Sequence, residues 1–126
     1  MLPPKPIRVL VADSHEMSRY SLTVFLETFD DLELVGVALD GMQVLRMCSQ
    51  LQPNIVLMSM KLDLLDGIET TRLIREQFPL IHIVILTYSN LPQDLEAAIQ
   101  AGASSYLIKG ETGITQIAAA IRQAYM

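Results

Sequence analysis

Polar side chains follow the ends of four predicted apolar strands, and together they could handle a phosphate group or a metal ion. Asp13 and Ser14 come after the first strand, Ser59 after the third, Thr87 after the fourth and Lys109 after the fifth. In a parallel sheet the carboxyl ends of neighbouring strands meet at one edge, where ligands and chemistry gather. We therefore expect one carboxylate, three hydroxyls and one ammonium group to converge in a single pocket.

The segments that must position these side chains alternate between strand and helix five times. Short apolar runs predict strands over residues 7–12, 32–38, 55–58, 82–86 and 105–108, and helical spacing predicts a helix after each. Strict alternation of this kind is typical of an α/β fold with a doubly wound parallel sheet and helices on both faces. The run at 55–58 is apolar throughout, which predicts a central strand buried on both sides.

Three predictions concern individual residues of the helices. Asp66 is predicted to cap the third helix, because an Asp side chain accepts from free N–H groups of a first turn. Cys48 lies on the apolar face of the second helix and is expected to pack in the core. Leu95, Ala98 and Ile99 form the predicted apolar stripe of the fourth helix.

Composition places the 126-residue chain among globular domains and excludes several other classes. It is 51% hydrophobic and 18% charged, so a disordered segment is excluded. We expect an extended tail over residues 1–6, which hold three prolines, and one domain over residues 7–126. No apolar run approaches the ~20 residues of a membrane span, and no signal peptide is visible. A single cysteine fits a reducing, cytoplasmic location.

The net charge of −5, with no cluster of Lys or Arg, argues against direct nucleic-acid binding, because phosphate contacts dominate such affinity. A flavodoxin-like cofactor binder is also disfavoured. The loop at residues 13–16 holds one hydroxyl and two acids, which repel phosphate, and the chain has no glycine-rich phosphate loop.

An ordered set of fragments resembles the receiver domain of response regulators, most closely the LuxR/NarL/FixJ type that precedes a DNA-binding domain. The fragments lie at residues 7–15, 53–60, 66–69, 85–87 and 101–109, so the resemblance covers essentially the whole chain. It implies a five-stranded sheet in the order 2-1-3-4-5 and a part in two-component signal transduction by phosphorelay. It also implies pocket positions for Asp13, Thr87 and Lys109 and a switch or interface role for Tyr106.

The chain departs from the family pattern where the chemistry should occur. Ser14 stands in place of the second of two adjacent acids, Ser59 in place of the phospho-acceptor Asp, and Asp63 where Pro is common. Because Mg²⁺ prefers carboxylate oxygens, Asp13 alone is a weak candidate ligand. We therefore expect weak or absent Mg²⁺ binding and no other cofactor. Lys109 is expected to pair with Asp13 or to donate to Ser59.

The sequence thus predicts a degenerate pseudo-receiver, not an enzyme, that is not phosphorylated on Asp and acts through protein–protein contacts. The resemblance implies a partner or homodimer face made by the fourth helix, fifth strand and fifth helix. Its predicted polar rim consists of Gln93, Asp94, Gln100, Gln116 and Arg122. With a DNA-binding domain outside this chain, it would be the regulatory part of a transcriptional regulator. The alternative is an active phosphoryl-accepting receiver that uses Ser59 or Asp63.

Overall fold

The predicted alternation of strands and helices is present over residues 5–126, the part of the chain that the computed structural model describes. The strands are β1 (Ile7–Ala12), β2 (Leu32–Ala38), β3 (Ile55–Met58), β4 (His82–Thr87) and β5 (Ser105–Ile108). The helices are α1 (Glu16–Glu27), α2 (Gly41–Leu51), α3 (Gly67–Gln77), α4 (Pro92–Ala101) and α5 (Ile114–Tyr125). Of the predicted tail, residues 1–4 lie outside the described residues, and residues 5–6 belong to no helix or strand.

The five strands form one parallel sheet in the order β2-β1-β3-β4-β5, as predicted. All four residues of β3 are buried, as expected for a central strand covered on both faces. The register pairs Ala12 with Met58 and Met58 with Ile85, while Thr87 pairs with Ile108. The strands therefore end at nearly the same level, which brings the residues that follow them together.

Side chains of successive strand residues enter different cores, because they point to opposite faces of the sheet. On one face, α1 and α5 cover the sheet with Leu26, Ile117 and Ile121. On the other face, α2, α3 and α4 contribute Val44, Cys48, Ile74 and Ala98. Helices therefore cover both faces of the sheet, as expected for a doubly wound fold.

The expectations for Asp66 and Cys48 are confirmed. The Asp66 carboxylate accepts from the Glu69 N–H at 2.8 Å and caps α3. Cys48 is fully buried, and burial raises the pKa of its thiol to about 12, so it remains a neutral core residue.

The predicted stripe of α4 is wrong for two of its three residues. Ala98 is buried, but Leu95 is 41% exposed and Ile99 is 59% exposed. Helix α4 covers the border of the sheet beside the edge strand β5, so only one line of its side chains meets the core. Leu91, Leu95 and Ile99 consequently form an exposed apolar stripe, which we call the α4 stripe.

Candidate functional site at the carboxyl edge of the sheet

The strand ends surround a cleft of about 940 Å³ at the carboxyl edge of the sheet. The five predicted pocket residues all line it: Asp13, Ser14, Ser59, Thr87 and Lys109. Ser59 is placed by β3, since its N–H continues the ladder to the Ala12 carbonyl at 2.9 Å. Likewise the Lys109 N–H donates to the Thr87 carbonyl at 2.7 Å, which places the end of β5 beside the end of β4.

A buried ion pair occupies the centre of the site. The Lys109 ammonium Nζ donates to Asp13 Oδ2 at 2.7 Å, and the two side chains are only 13% and 3% exposed. The second carboxylate oxygen of Asp13, Oδ1, accepts from the His15 N–H at 2.8 Å. Of the two pairings left open for Lys109, the structure contains the one with Asp13. Both oxygens of the single central carboxylate are therefore already engaged.

Ser59 lies deep in the cleft, and its hydroxyl has no hydrogen-bond partner among residues 5–126. The residue is 8% exposed, and Gly67 of α3 packs closely behind it. A Cβ atom at Gly67 would lie 2.6 Å from the Ser59 carbonyl oxygen, and the Gly67 N–H donates to Met60 O at 2.7 Å. The glycine after Asp66 thus lets the start of α3 approach the end of β3 and fixes the position of Ser59.

Ser14 has a role that sequence reasoning did not identify. Its hydroxyl donates to the Leu39 carbonyl at 2.9 Å and accepts from the Asp63 N–H at 3.1 Å. The Asp63 carbonyl in turn accepts from the Gly41 N–H at 3.2 Å. Ser14 therefore ties the loop after β2 to the loop after β3, using both the donor and the acceptor capacity of a hydroxyl. The side chain of Asp63 itself is exposed at the mouth of the cleft.

On the opposite side of the cleft, Thr87 and Tyr106 are connected through Ser89 of the loop before α4. The Ser89 carbonyl accepts from the Tyr106 hydroxyl at 2.9 Å, and the Ser89 N–H donates to Thr87 Oγ1 at 3.4 Å. The Ser89 hydroxyl bonds to the Asp94 carboxylate. Ser89 and Asp94 were missed as parts of the site, because nothing in their spacing distinguishes them from ordinary loop and helix residues.

Arg122 does not lie on the rim where it was predicted. Its Nε and Nη2 atoms bond to the two carboxylate oxygens of Asp31 at 2.6 and 2.9 Å, and its guanidinium group lies over the Phe29 ring. The hydrogen bond from this guanidinium lowers the pKa of Asp31. Arg122 thus anchors α5 to the loop between α1 and β2, on the side of the helix away from β5.

Residues 5–126 contain neither a cluster of metal-binding side chains nor a membrane-spanning helix. No group of three or more His, Cys, Asp or Glu side chains in this range is arranged to hold a metal ion. Within the same range, no helix has the length and apolar character needed to cross a bilayer.

Comparison with known proteins agrees with the geometry. Residues 9–122 match the family model described as response regulator receiver domain. The response regulator protein VraR of Staphylococcus saprophyticus is 34% identical, over 95% of this chain and 57% of VraR. The transcriptional regulatory protein LiaR of Bacillus subtilis is 40% identical, over 94% of this chain and 56% of LiaR. The chain thus spans just over half the length of these relatives.

Solved structures share the fold. A LuxR-family two-component response regulator from Aurantimonas superimposes with a TM-score of 0.88 at 28% identity, covering 94% of this chain and 84% of that one. The receiver domain of NarL from Mycobacterium tuberculosis gives 0.91 at 24% identity, covering 97% and 98%. From the matched residues, the relatives and the sheet order together, the chain belongs to the response regulator receiver domain family.

Proposed function

We propose that this receiver domain transmits signals without phosphorylation on Asp, as a pseudo-receiver that acts through protein contacts in the cytoplasm. The observation that carries the proposal is the bond between the Lys109 ammonium and Asp13, with serines at positions 14 and 59. The domain keeps the lysine and the hydroxyl of the family pocket but has no carboxylate at the acceptor position. Because an acyl phosphate forms only on a carboxylate, Ser59 has no route to that modification.

The donor set of the cleft does not fit Mg²⁺. This ion requires close octahedral coordination by oxygen atoms and usually one or two carboxylates. Asp13 is the single carboxylate at the centre, and its oxygens are engaged by Lys109 and by the His15 N–H. The ammonium of Lys109 balances the charge that would attract a cation. We therefore infer that no step of this domain's function uses Mg²⁺.

Ser59 and Asp63 are poor substitutes as phosphoryl acceptors. A serine hydroxyl is a weak nucleophile unless an adjacent base activates it, and the Ser59 hydroxyl bonds to no carboxylate among residues 5–126. The side chain of Asp63 is exposed at the cleft mouth and is placed by its backbone contacts to Ser14 and Gly41. Both residues stay alternatives that the experiment below separates.

The output face that we propose is formed by α4, β5 and α5, and its apolar centre is the α4 stripe. Gln93 and Gln100 of α4 and Gln116 of α5 are exposed, and the exposed Glu96 adds one negative charge to this polar rim. An exposed apolar patch with a polar rim is typical of a protein interaction site, so this face suits a homodimer or a protein partner. VraR and LiaR are named as regulators, and LiaR as a transcriptional one. By analogy, we infer the regulatory part of a transcriptional regulator whose DNA-binding domain lies outside this chain.

The test is incubation with acetyl phosphate and Mg²⁺, followed by intact-mass spectrometry. The protein is expected to keep its mass. A double variant, Ser14→Asp with Ser59→Asp, restores the acids of the family pattern and serves as the matched control for the reagent. Stoichiometric phosphoryl addition to the parent chain, without substitutions, would contradict the proposal. Acid-stable addition would indicate Ser59, and hydroxylamine-labile addition that is lost in Asp63→Asn would indicate Asp63.

A further inference from the structure

We propose that the cleft at the carboxyl edge of the sheet is a binding site for an uncharged organic ligand that carries a carbonyl or hydroxyl oxygen. The inference builds on the proposed function, because it requires that Ser59 stays unmodified. It concerns what the cleft can hold once phosphate chemistry is removed from it.

Two buried hydroxyls with unused donors supply the first argument. Ser59 is 8% exposed and Thr87 is 5% exposed. Within residues 5–126, the Ser59 hydroxyl has no partner, and Thr87 Oγ1 accepts one long bond from the Ser89 N–H but donates to no residue. No fully buried polar side-chain atom of the described residues lacks a partner, so the Ser59 oxygen must be reached from the cleft that it lines. Because they line the cleft, the two hydroxyls are placed to donate to an acceptor oxygen of a ligand that enters it.

The size of the cleft supplies the second argument. Its volume of about 940 Å³ lies in the range of ~300–1,000 Å³ that holds small organic molecules. A phosphoryl group would fill only a small part of it. Beside the hydroxyls, Met60 and Leu91 line the cleft with apolar surface. Apolar walls with a few placed polar groups are the usual composition of small-molecule sites.

The charges of the lining residues decide the class of ligand. Asp13 and Lys109 neutralise each other at the centre. At the mouth, Asp63 and Asp94 are balanced only by Lys61, so the lining carries one net negative charge. A phosphate or carboxylate ligand would be repelled by this charge, since a like charge within a Debye length of about 8 Å is only partly screened. An uncharged carbonyl or hydroxyl oxygen can accept from Ser59 and Thr87 without that cost.

The experiment uses NMR titration of the isotope-labelled chain with aromatic primary amides, matched one to one with their carboxylate analogues. Amides are expected to bind in the millimolar range and to shift the backbone resonances of Ser59, Met60 and Thr87. Ser59→Ala and Thr87→Val should each weaken amide binding about threefold to tenfold, the effect of one lost hydrogen bond. Ser49→Ala and Thr115→Val change the same residue types on exposed helix positions and should leave the affinity unchanged.

Three results would overturn the proposal: no amide shifts the cleft resonances, the carboxylates bind as well as the amides, or Ser59→Ala and Thr87→Val leave the affinity unaltered. The variants are checked for native spectra, and Ser59→Ala removes only a hydroxyl, so a folded variant is expected. Intact mass of the same sample reports separately on phosphorylation. Failure of ligand binding is therefore distinguishable from failure of the proposed function.

Discussion

The two sides of the cleft match the pattern that the family resemblance implies to different degrees. On the side that we call the acid side, Asp13, Ser14 and Ser59 follow β1 and β3, and serines stand at two positions where the resemblance implies carboxylates. On the side that we call the switch side, Thr87, Tyr106 and Lys109 lie at β4 and β5 and have the residue types that the resemblance implies. On the switch side, Ser89 still links Thr87 and Tyr106 to the start of α4.

Under the proposed function, the difference means that the site has lost its chemistry while its architecture persists. On the acid side, the hydroxyl of Ser14 is now used inside the protein, where it joins two loops. The ion pair of Asp13 and Lys109 connects the side chains of the two sides. The ammonium therefore serves as a built-in cation for the carboxylate that remains. Substitutions can disturb this connection and each side separately.

Breaking the ion pair should have the largest effect. Lys109→Met leaves the carboxylate of Asp13 buried without its cation, and we expect the free energy of unfolding to fall by about 3 kcal/mol. Adding Asp13→Asn should restore most of this loss, because the remaining group is then neutral. Urea denaturation measures both changes.

The matched control for this prediction is Lys61→Met, which removes an exposed lysine at the mouth of the same cleft. It should change the stability by less than about 0.5 kcal/mol. If Lys109→Met lowers the free energy of unfolding by less than about 1 kcal/mol, the pair does not hold the two sides together.

Restoring the acid at position 14 should destabilise the acid side. In Ser14→Asp, a carboxylate faces the Leu39 carbonyl oxygen and has no hydrogen to donate. We therefore expect the free energy of unfolding to fall by about 2 kcal/mol. Ser14→Ala should cost about 1 kcal/mol through the lost bonds. Ser21→Ala, an exposed hydroxyl on α1, is the control. If Ser14→Asp unfolds at the same urea concentration as the parent chain, Ser14 does not tie the loops.

On the switch side, Tyr106→Phe removes the bond to the Ser89 carbonyl. We expect the free energy of unfolding to fall by about 1 kcal/mol and hydrogen exchange to become faster at the amides of residues 89–91. Tyr20→Phe, on the exposed face of α1, should change neither quantity. Unaltered exchange in Tyr106→Phe would show that the loop before α4 is held without the tyrosine.

The smallest effect is expected away from the cleft, at the exposed pair of Asp31 and Arg122. Since the guanidinium lowers the pKa of Asp31, the pair stabilises the fold at pH values above the carboxyl's ordinary pKa of 3.8, and this contribution is lost as pH falls through the lower folded value. Asp31→Asn should make the free energy of unfolding depend slightly less on pH at the acid end of the range. Asp30→Asn should leave it unchanged, and an equal effect of both variants would contradict the assignment.

Much of the architecture follows from short-range information. The apolar runs indicate the strands, because a short run that is apolar throughout, such as residues 55–58, is typical of a strand buried on both faces of a sheet. Parallel order then brings Asp13, Ser59, Thr87 and Lys109 to one edge without any knowledge of side-chain contacts. The family of the chain was likewise visible in the ordered fragments.

What the sequence left undetermined depends on contacts between distant loops. The partners of Ser14 lie 25 and 49 residues away, and that of Arg122 lies 91 residues away. Helical spacing placed Leu95 and Ile99 on the same stripe as Ala98, but spacing does not report how far the sheet extends beneath a helix at its border. These outcomes are set by how the elements are arranged in three dimensions.

We propose that the Lys109 ammonium takes the place of a divalent cation beside Asp13. Titration of Mg²⁺ into the labelled chain and into the Ser14→Asp/Ser59→Asp variant, with the backbone resonances of Asp13, Ser59 and Lys109 as the signal, decides this. We expect no saturable change in the parent chain at millimolar Mg²⁺ and measurable binding in the variant with three carboxylates. Saturable Mg²⁺ binding by the parent chain, centred on Asp13, would contradict it.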